Sequence, residues 1–425
     1  MLLLSVLALG IADSMIAPYL VLFGAQEAHL SPLQVGIFIS LTSLSGLAVS
    51  TWLGRRYDRS ASRWPALVTV GAAAAGYAAL TTTTSYPVLL LVATGLLSAG
   101  TAAFPQLFAL ARTHHDRAGE QASLRRTPAL RSAWSLAWAI GPMIGAALLA
   151  AGGYHRLLLA TALAFLLVAG PLLLLGRTPR PHRDRPAHVG RGRLSRAMLL
   201  AAGSFTCFHT AMLSGSVVLP LYVTGALHRP GREMGLLFTV CALVEIPVAL
   251  ATMLLPARVR TMVILAGMAL LAVFFVLVAA ATAMPFLIGT QVVRGIAVAV
   301  VGTLGISHVQ DLAPHSPGRA TTLFANTLTV GSLVSGLLAG AMTQTLGFRP
   351  ALLVCAVLAV LGGVLLMAAR HTKLAARSRE PGSQPDVVSS GGARFRSEPQ
   401  RLGCQPCSRW SDPQEPRWTA AQDES

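Results

Sequence analysis

Apolar residues along this chain fall in long uncharged blocks rather than in the alternating or one-sided patterns of soluble elements. A bilayer core about 30 Å thick is crossed by about 20 apolar residues in a helix. On that measure the pattern predicts helices at 2–24, 33–54, 65–84, 86–111, 129–151, 157–176, 197–224, 233–255, 261–281, 284–308, 320–345 and 351–369. The first block has no basic residue ahead of it and no small-residue cleavage site. It is also longer than a signal-peptide core, so it reads as a retained helix. The expected fold class is an all-α integral membrane protein with twelve transmembrane helices.

The longest internal hydrophilic stretch, 177–196, divides those spans six and six. Shifting the chain by 194 residues lays Arg125 on Arg319, Thr127 on Thr321, Gly153 on Gly347 and Tyr154 on Phe348. Such an echo is what transporters built from repeated halves show. The expected organisation is two pseudo-symmetric six-helix bundles at 1–176 and 197–370, joined by a basic cytoplasmic linker at 177–196. The segment 371–425 is rich in Pro, Ser, Gly and Arg without apolar periodicity, and reads as a disordered cytoplasmic tail. Its Cys404 and Cys407 have no second ligand pair and read as incidental rather than zinc-binding.

Composition sharpens the picture. The chain has 425 residues, 54% hydrophobic and only 12% charged, yet carries a net charge of +17. Nucleic-acid binders display such charge on a solvated face, whereas here the arginines lie between apolar blocks. Nineteen fall in loops after even-numbered helices; Arg156, Arg229, Arg232 and Arg349 fall in the others. Lys and Arg mark cytoplasmic loops, so both termini are expected in the cytoplasm. The single lysine, Lys373, follows no glycine-rich run, which excludes a phosphate-binding loop and transport driven by this chain's own ATP hydrolysis. No cofactor is expected. The five cysteines give no disulfide framework, and His114-His115-Asp116 reads as solvated loop charge rather than a metal site.

Removing the loop arginines leaves few polar groups near mid-span. Asp13 and Arg294 are the sharpest, because a charge at the bilayer centre costs about 2.5–3.5 kcal/mol on insertion scales. They either face one cavity from opposite halves or form a structural ion pair. Glu245, just before Pro247, is a second carboxylate that either carries a proton or pairs structurally with the cavity wall. Gln106, Gln291, Gln310 and Asn326 offer amide donors and acceptors of the kind that polyols need, or hold helices together. Trp138, one turn from Trp134, could stack on a sugar ring or pack at an interface. His209 is a further cavity candidate, with a structural hydrogen bond as its other reading.

Several motifs resemble a known family. Gly54-Arg55-Arg56-Tyr57-Asp58-Arg59 resembles the start of the loop signature of the major facilitator superfamily. Phe104–Arg112, Ser135–Pro142, Val244–Pro247, Gln310–Pro314 and Ala320–Asn326 resemble its bacterial sugar efflux transporters. Gly141-Pro142-x-x-Gly145 resembles the antiporter signature of helix 5. The resemblance implies proton-driven export of sugars or glycosides across a bacterial inner membrane by alternating access. It implies a cavity lined by helices 1, 4, 7 and 10. Gly54, Asp58, Arg59 and Arg112 read as a cytoplasmic gate, with a purely topological role for the arginines as the other reading. A monomer in the lipid bilayer, with protons and a small sugar as partners and no nucleic acid, is the expectation. A multidrug proton antiporter of the same fold and, more remotely, a membrane-embedded enzyme are the competing readings.

Overall fold

A computed structural model of the chain describes residues 2–59, 62–107, 110, 120–174, 195–313 and 316–377. Ten stretches are long and apolar enough to cross a bilayer. One of them, Ala133–Leu174, has 42 residues and breaks at Gly152 and Gly153. Beyond the break, Leu173 returns to accept a hydrogen bond from Arg63 at the start of the third helix, so this stretch crosses twice. The 17-residue apolar helix Trp64–Leu80 supplies the remaining crossing.

The twelve helices are α1 (Leu2–Leu22), α2 (Pro32–Arg59), α3 (Trp64–Leu80) and α4, which starts at Tyr86–Val92 and continues to Leu107 through a π-helical turn at Ala93–Leu97. Then come α5 (120–151), α6 (154–174), α7 (Arg196–Leu221) and α8 (Glu233–Thr252). The last four are α9 (Ala257–Ala280), α10 (Met284–Leu312), α11 (Pro317–Leu346) and α12 (Phe348–Arg377). All belong to one compact unit. Several boundaries differ from the sequence pattern: α2 runs to Arg59 rather than 54, α5 starts at 120 rather than 129, α9 starts at Ala257 rather than 261, and α10 ends at Leu312 rather than 308. The third helix stops at Leu80 instead of 84, because the Thr81 and Thr82 hydroxyls donate to the carbonyls of Ala78 and Ala79 and compete with the next helical turn. The last helix continues past 369 to Arg377.

Packing follows the same plan twice. In the first half α1 lies against α5 and α6, α3 against α6, and α4 against α2 and α3. In the second, α7 lies against α11 and α12, α9 against α12, and α10 against α8 and α9. The repeat reaches individual residues. α1 ends in a π-helical turn, Phe23–Glu27, followed by His29 with φ 51°; α7 ends in Tyr222–Ala226, followed by His228 with φ 52°. The α5–α6 and α11–α12 corners turn on Gly153 (φ 66°) and Gly347 (φ 88°), where a side chain would be strained. At each corner an aromatic pair closes the bundle, Phe23 with Tyr154 at 6.0 Å and Tyr222 with Phe348 at 6.4 Å. The linker before Ser195, the tail beyond Arg377 with Cys404 and Cys407, and Arg112 lie outside the described residues. So do the side chains of Asp58 and Arg59 within α2.

Candidate functional site

Arg55, Arg56 and Arg63 around the α2–α3 turn, Arg258 and Arg260 at the start of α9 and Arg319 at the start of α11 mark an arginine-rich face. On the opposite face the halves meet along two seams, α2 with α11 and α5 with α8. In the first, Gly36 faces Gly336 and Gly340, and a Cβ on Gly336 would lie 2.7 Å from the Gly36 carbonyl oxygen. Glycine here permits backbone-to-backbone approach. Two hydrogen bonds cross this seam: the Leu337 amide donates to Ser40 Oγ at 2.7 Å, and the Leu33 amide to Gln344 Oε1 at 3.1 Å.

The second seam mirrors the first, with Gly235 in the place of Gly36 and Pro142 related to Gly336 by the 194-residue shift. A Cβ on Gly235 would lie 2.6 Å from the Pro142 carbonyl oxygen and 2.7 Å from the Tyr19 hydroxyl. Tyr19 donates that hydroxyl to the Pro142 carbonyl at 2.9 Å, beside Gly235. The motif Gly141-Pro142-x-x-Gly145 is therefore where α1, α5 and α8 cross. Gly141 packs on Ser14 and Gly145 on the Met15 carbonyl and the Tyr19 ring.

Deeper in the membrane the two halves carry different chemistry. In the first, Asp13 is half-buried in α1, within electrostatic reach of Tyr77 on α3. In the second, Arg294 is 7% exposed on α10. One guanidinium nitrogen donates to Ser216 Oγ on α7 at 2.7 Å, and the group lies 4.9 Å above the Phe238 ring and 5.8 Å from that of Phe274. Cation–π contact of this kind helps a buried guanidinium tolerate the loss of water. Its other nitrogen, Nη1, has no hydrogen-bond partner, nor has Gln291 Oε1 one turn away. Thr239 Oγ1 on α8 and Trp138 Nε1 on α5 are also buried without partners, on two helices joined by the second seam. So is Gln106 Oε1 on α4. Each such atom costs about 1–3 kcal/mol unless something else meets it.

The structure does not bring Asp13 and Arg294 together; each is held within its own half. The carboxylate nearer the arginine is Glu245, since Cys241 on α8 feels both Glu245 and Arg294 electrostatically. The two helices cross there, with Gly295 packed on the Cys241 carbonyl and Val244. His209 on α7 is buried against Thr327 of α11, Nδ1 to Oγ1 at 3.0 Å. Thr327 donates its own proton to the Phe324 carbonyl, so Nδ1 is the donor. Gln310 ties the end of α10 to the start of α11 through Thr321 Oγ1 at 2.9 Å, a structural bond outside the central region. Asn326 lies on an exposed face of α11, and Gly54 within α2. The Asp58–Arg59–Arg112 gate falls outside the described side chains. Among the described residues no group of three or more His, Cys, Asp or Glu is placed to hold a metal.

Sequence reasoning missed Tyr19, Ser40, Gln344 and Thr239. A signal was present for two: Ser40 follows Gly36, and Gln344 follows Gly340, by four residues, which places a small and a polar residue on one helix face.

The sequence profile described as Major Facilitator Superfamily matches residues 2–214 and again 199–411. A putative sugar efflux transporter of Deinococcus radiodurans is 38% identical over 387 residues, covering 88% of this chain and 98% of that protein. Sugar efflux transporter B of Salmonella typhimurium is 33% identical over 78% of this chain and 85% of its own length. Among solved structures, a mutant of the nucleoside transporter NupG superposes with a TM-score of 0.74 at 14% identity, covering 87% of this chain and all of that one. A bacterial homologue of the human lysosomal transporter Spinster, inward-facing and occupied, gives 0.71 at 12%, over 88% of this chain and 96% of its own. At those identities the likeness establishes the fold. The chain is a multi-pass membrane transporter and belongs to the major facilitator superfamily, within its sugar efflux transporters.

Proposed function

We infer that the protein exports sugars or glycosides across the bacterial inner membrane in exchange for protons, by alternating access between its two halves. The arginine-rich face and both termini are cytoplasmic, and the monomer is the working unit. The relatives named for sugar efflux support the substrate class. The observation that carries the reading beyond names is the set of unpartnered buried atoms: Trp138 Nε1 and Arg294 Nη1 as donors, Gln106 Oε1 and Gln291 Oε1 as acceptors. A hydroxyl both donates and accepts, so a polyol matches such a mixture where a hydrophobic cation does not.

Closed seams on one face, built from matched glycines, support the alternating-access mechanism: separating them and joining the halves on the other face exchanges the accessible side. His209 and Asn326 complete the cavity wall from α7 and α11. A carboxylate, Asp13 in one half or Glu245 in the other, carries the proton. Purified protein in liposomes loaded with glucose, lactose, methyl glucoside or ethidium tests the substrate class. Release of the sugars and not of ethidium is the expected result. Release of ethidium alone contradicts the reading and favours multidrug antiport.

A further inference from the structure

On the face away from the arginine-rich loops, the first half has a cleft of about 210 Å³ that the transport cycle just described does not use. It is bounded by the end of α1, the α3–α4 turn and the start of α6. That volume falls below the roughly 300–1,000 Å³ of pockets that hold drug-sized ligands, which limits an occupant to about one sugar ring. Beneath it Phe23, Leu80 and Leu158 are buried, and Phe23 meets Tyr154 edge to face. The rim is polar and exposed or partly exposed, with Glu27, His155 and the four threonines Thr81, Thr82, Thr83 and Thr84.

The hydrogen-bonding capacity left on that rim is mixed. Thr81 and Thr82 spend their protons on backbone carbonyls and keep acceptor lone pairs. Thr83 Oγ1 accepts from the Ser85 amide at 3.1 Å and keeps its proton to donate. A carboxylate accepts only, and a neutral imidazole gives one donor and one acceptor. Such a mixed rim suits the hydroxyls around the edge of a pyranose ring, each of which both donates and accepts.

The matching place in the second half is built differently. There the positions of Phe23, Glu27 and His155 hold Tyr222, Ala226 and Arg349. The Tyr222 hydroxyl reaches across to donate to the Ala281 carbonyl at 2.6 Å, at the end of α9 that corresponds to the threonine turn. So the repeat does not impose a polar cleft at this corner. Tyr154 also connects it to the closed state: its hydroxyl donates to Gln26 Oε1 at 2.6 Å, beside Gly231 in the α7–α8 turn of the other half.

We propose that this cleft is a second polyol-binding site, one that holds a single sugar ring on the face opposite the arginine-rich loops, with Glu27, His155 and Thr81–Thr84 as its polar contacts. Occupation belongs to the state closed on this face, in which Tyr154 forms its wall. The site does not depend on which sugar is exported, or on whether export is proton-coupled.

A methyl glucoside carrying a photoactivatable diazirine, applied to the full chain in lipid nanodiscs, tests it by mass-spectrometric mapping of the attached positions. Labelling is expected on residues 81–84 and 154–158. Glu27→Gln and His155→Ala, each singly, are expected to lower that labelling about tenfold, the scale of a lost hydrogen bond to a charged or strongly polar group. Export by the same variants reconstituted in liposomes stays at the wild-type rate, which shows that they fold. An unlabelled cleft in the wild-type protein overturns the proposal, and so does labelling that neither variant changes. A labelled cleft in a protein that releases no sugar from liposomes would refute export while leaving the cleft in place.

Discussion

At α1 and α5 the first half places Gly10 against Ala137 and the Trp134 ring. At the corresponding crossing of α7 and α11 the second half places His209 against Gly331. The bulky residue has changed helix, and the helices still meet. The seams show the same exchange of detail on a shared frame. Ser40 Oγ in α2 takes a hydrogen bond from across its seam, whereas Thr239 Oγ1, its counterpart in α8, has no partner. Backbone geometry is thus held in common at the π-helical turns, the corner glycines and the seams, while the polar residues between them diverge. In the proposed cycle the repeat supplies the moving parts and the differences supply recognition. Arg294 and Gln291 stand in one half, and the membrane part of α4, the counterpart of their helix, holds no Asp, Glu, Lys, Arg or His.

If the seams are equivalent, they should fail equivalently. Gly36→Leu and Gly235→Leu each force a side chain into a backbone contact, and overpacking of that kind costs about 1–3 kcal/mol. That is about a 5- to 150-fold shift away from the closed state, read as faster thiol labelling of a cysteine placed at Leu33 or Gly231. Labelling that responds to one substitution and not to the other breaks the comparison.

The asymmetry of the interior is tested by Arg294→Met, which keeps apolar bulk and removes the charge. Loss of a charged hydrogen bond is worth about 1.5–3 kcal/mol, so export at limiting sugar should fall about tenfold or more, with folding intact. Unchanged export would reduce Arg294 to a packing residue.

A smaller effect belongs to the His209–Thr327 bond. Thr327→Val should lower stability by about 0.5–1.5 kcal/mol, measured as thermal unfolding in detergent, without altering seam accessibility. Smallest of all is the ion pair of Arg260 with Asp311, which joins α9 to α10 at the arginine-rich face. Removing Arg260 should change stability by about 0–1 kcal/mol, and a larger loss would mark it as part of the opposing gate.

Much of this architecture is legible in the sequence, for reasons that are physical. Apolar runs of bilayer length fix the helices, and the shift that pairs Gly153 with Gly347 and Tyr154 with Phe348 locates two corners that the fold builds alike. Boundaries were less legible: Thr81–Thr84 continue an apolar run, but their hydroxyls turn the chain back on itself. The interior was legible by type and not by partner. Asp13 and Arg294 are conspicuous as charges, yet which neighbours they meet depends on helix rotation, and a membrane helix apolar on every side hides that rotation. Tyr19 was invisible for the same reason, since nothing in its surroundings distinguishes a packing tyrosine from one whose hydroxyl closes a seam.

Sugar-for-proton exchange is the central claim, and it is tested most directly by loading liposomes containing the protein with sugar, diluting them, and following luminal pH with a trapped dye. Outward sugar movement should acidify the lumen in the wild-type protein. Either Asp13→Asn or Glu245→Gln should abolish the acidification, and the one that does identifies the carrier. Sugar release with no luminal pH change in the wild-type protein would contradict the account.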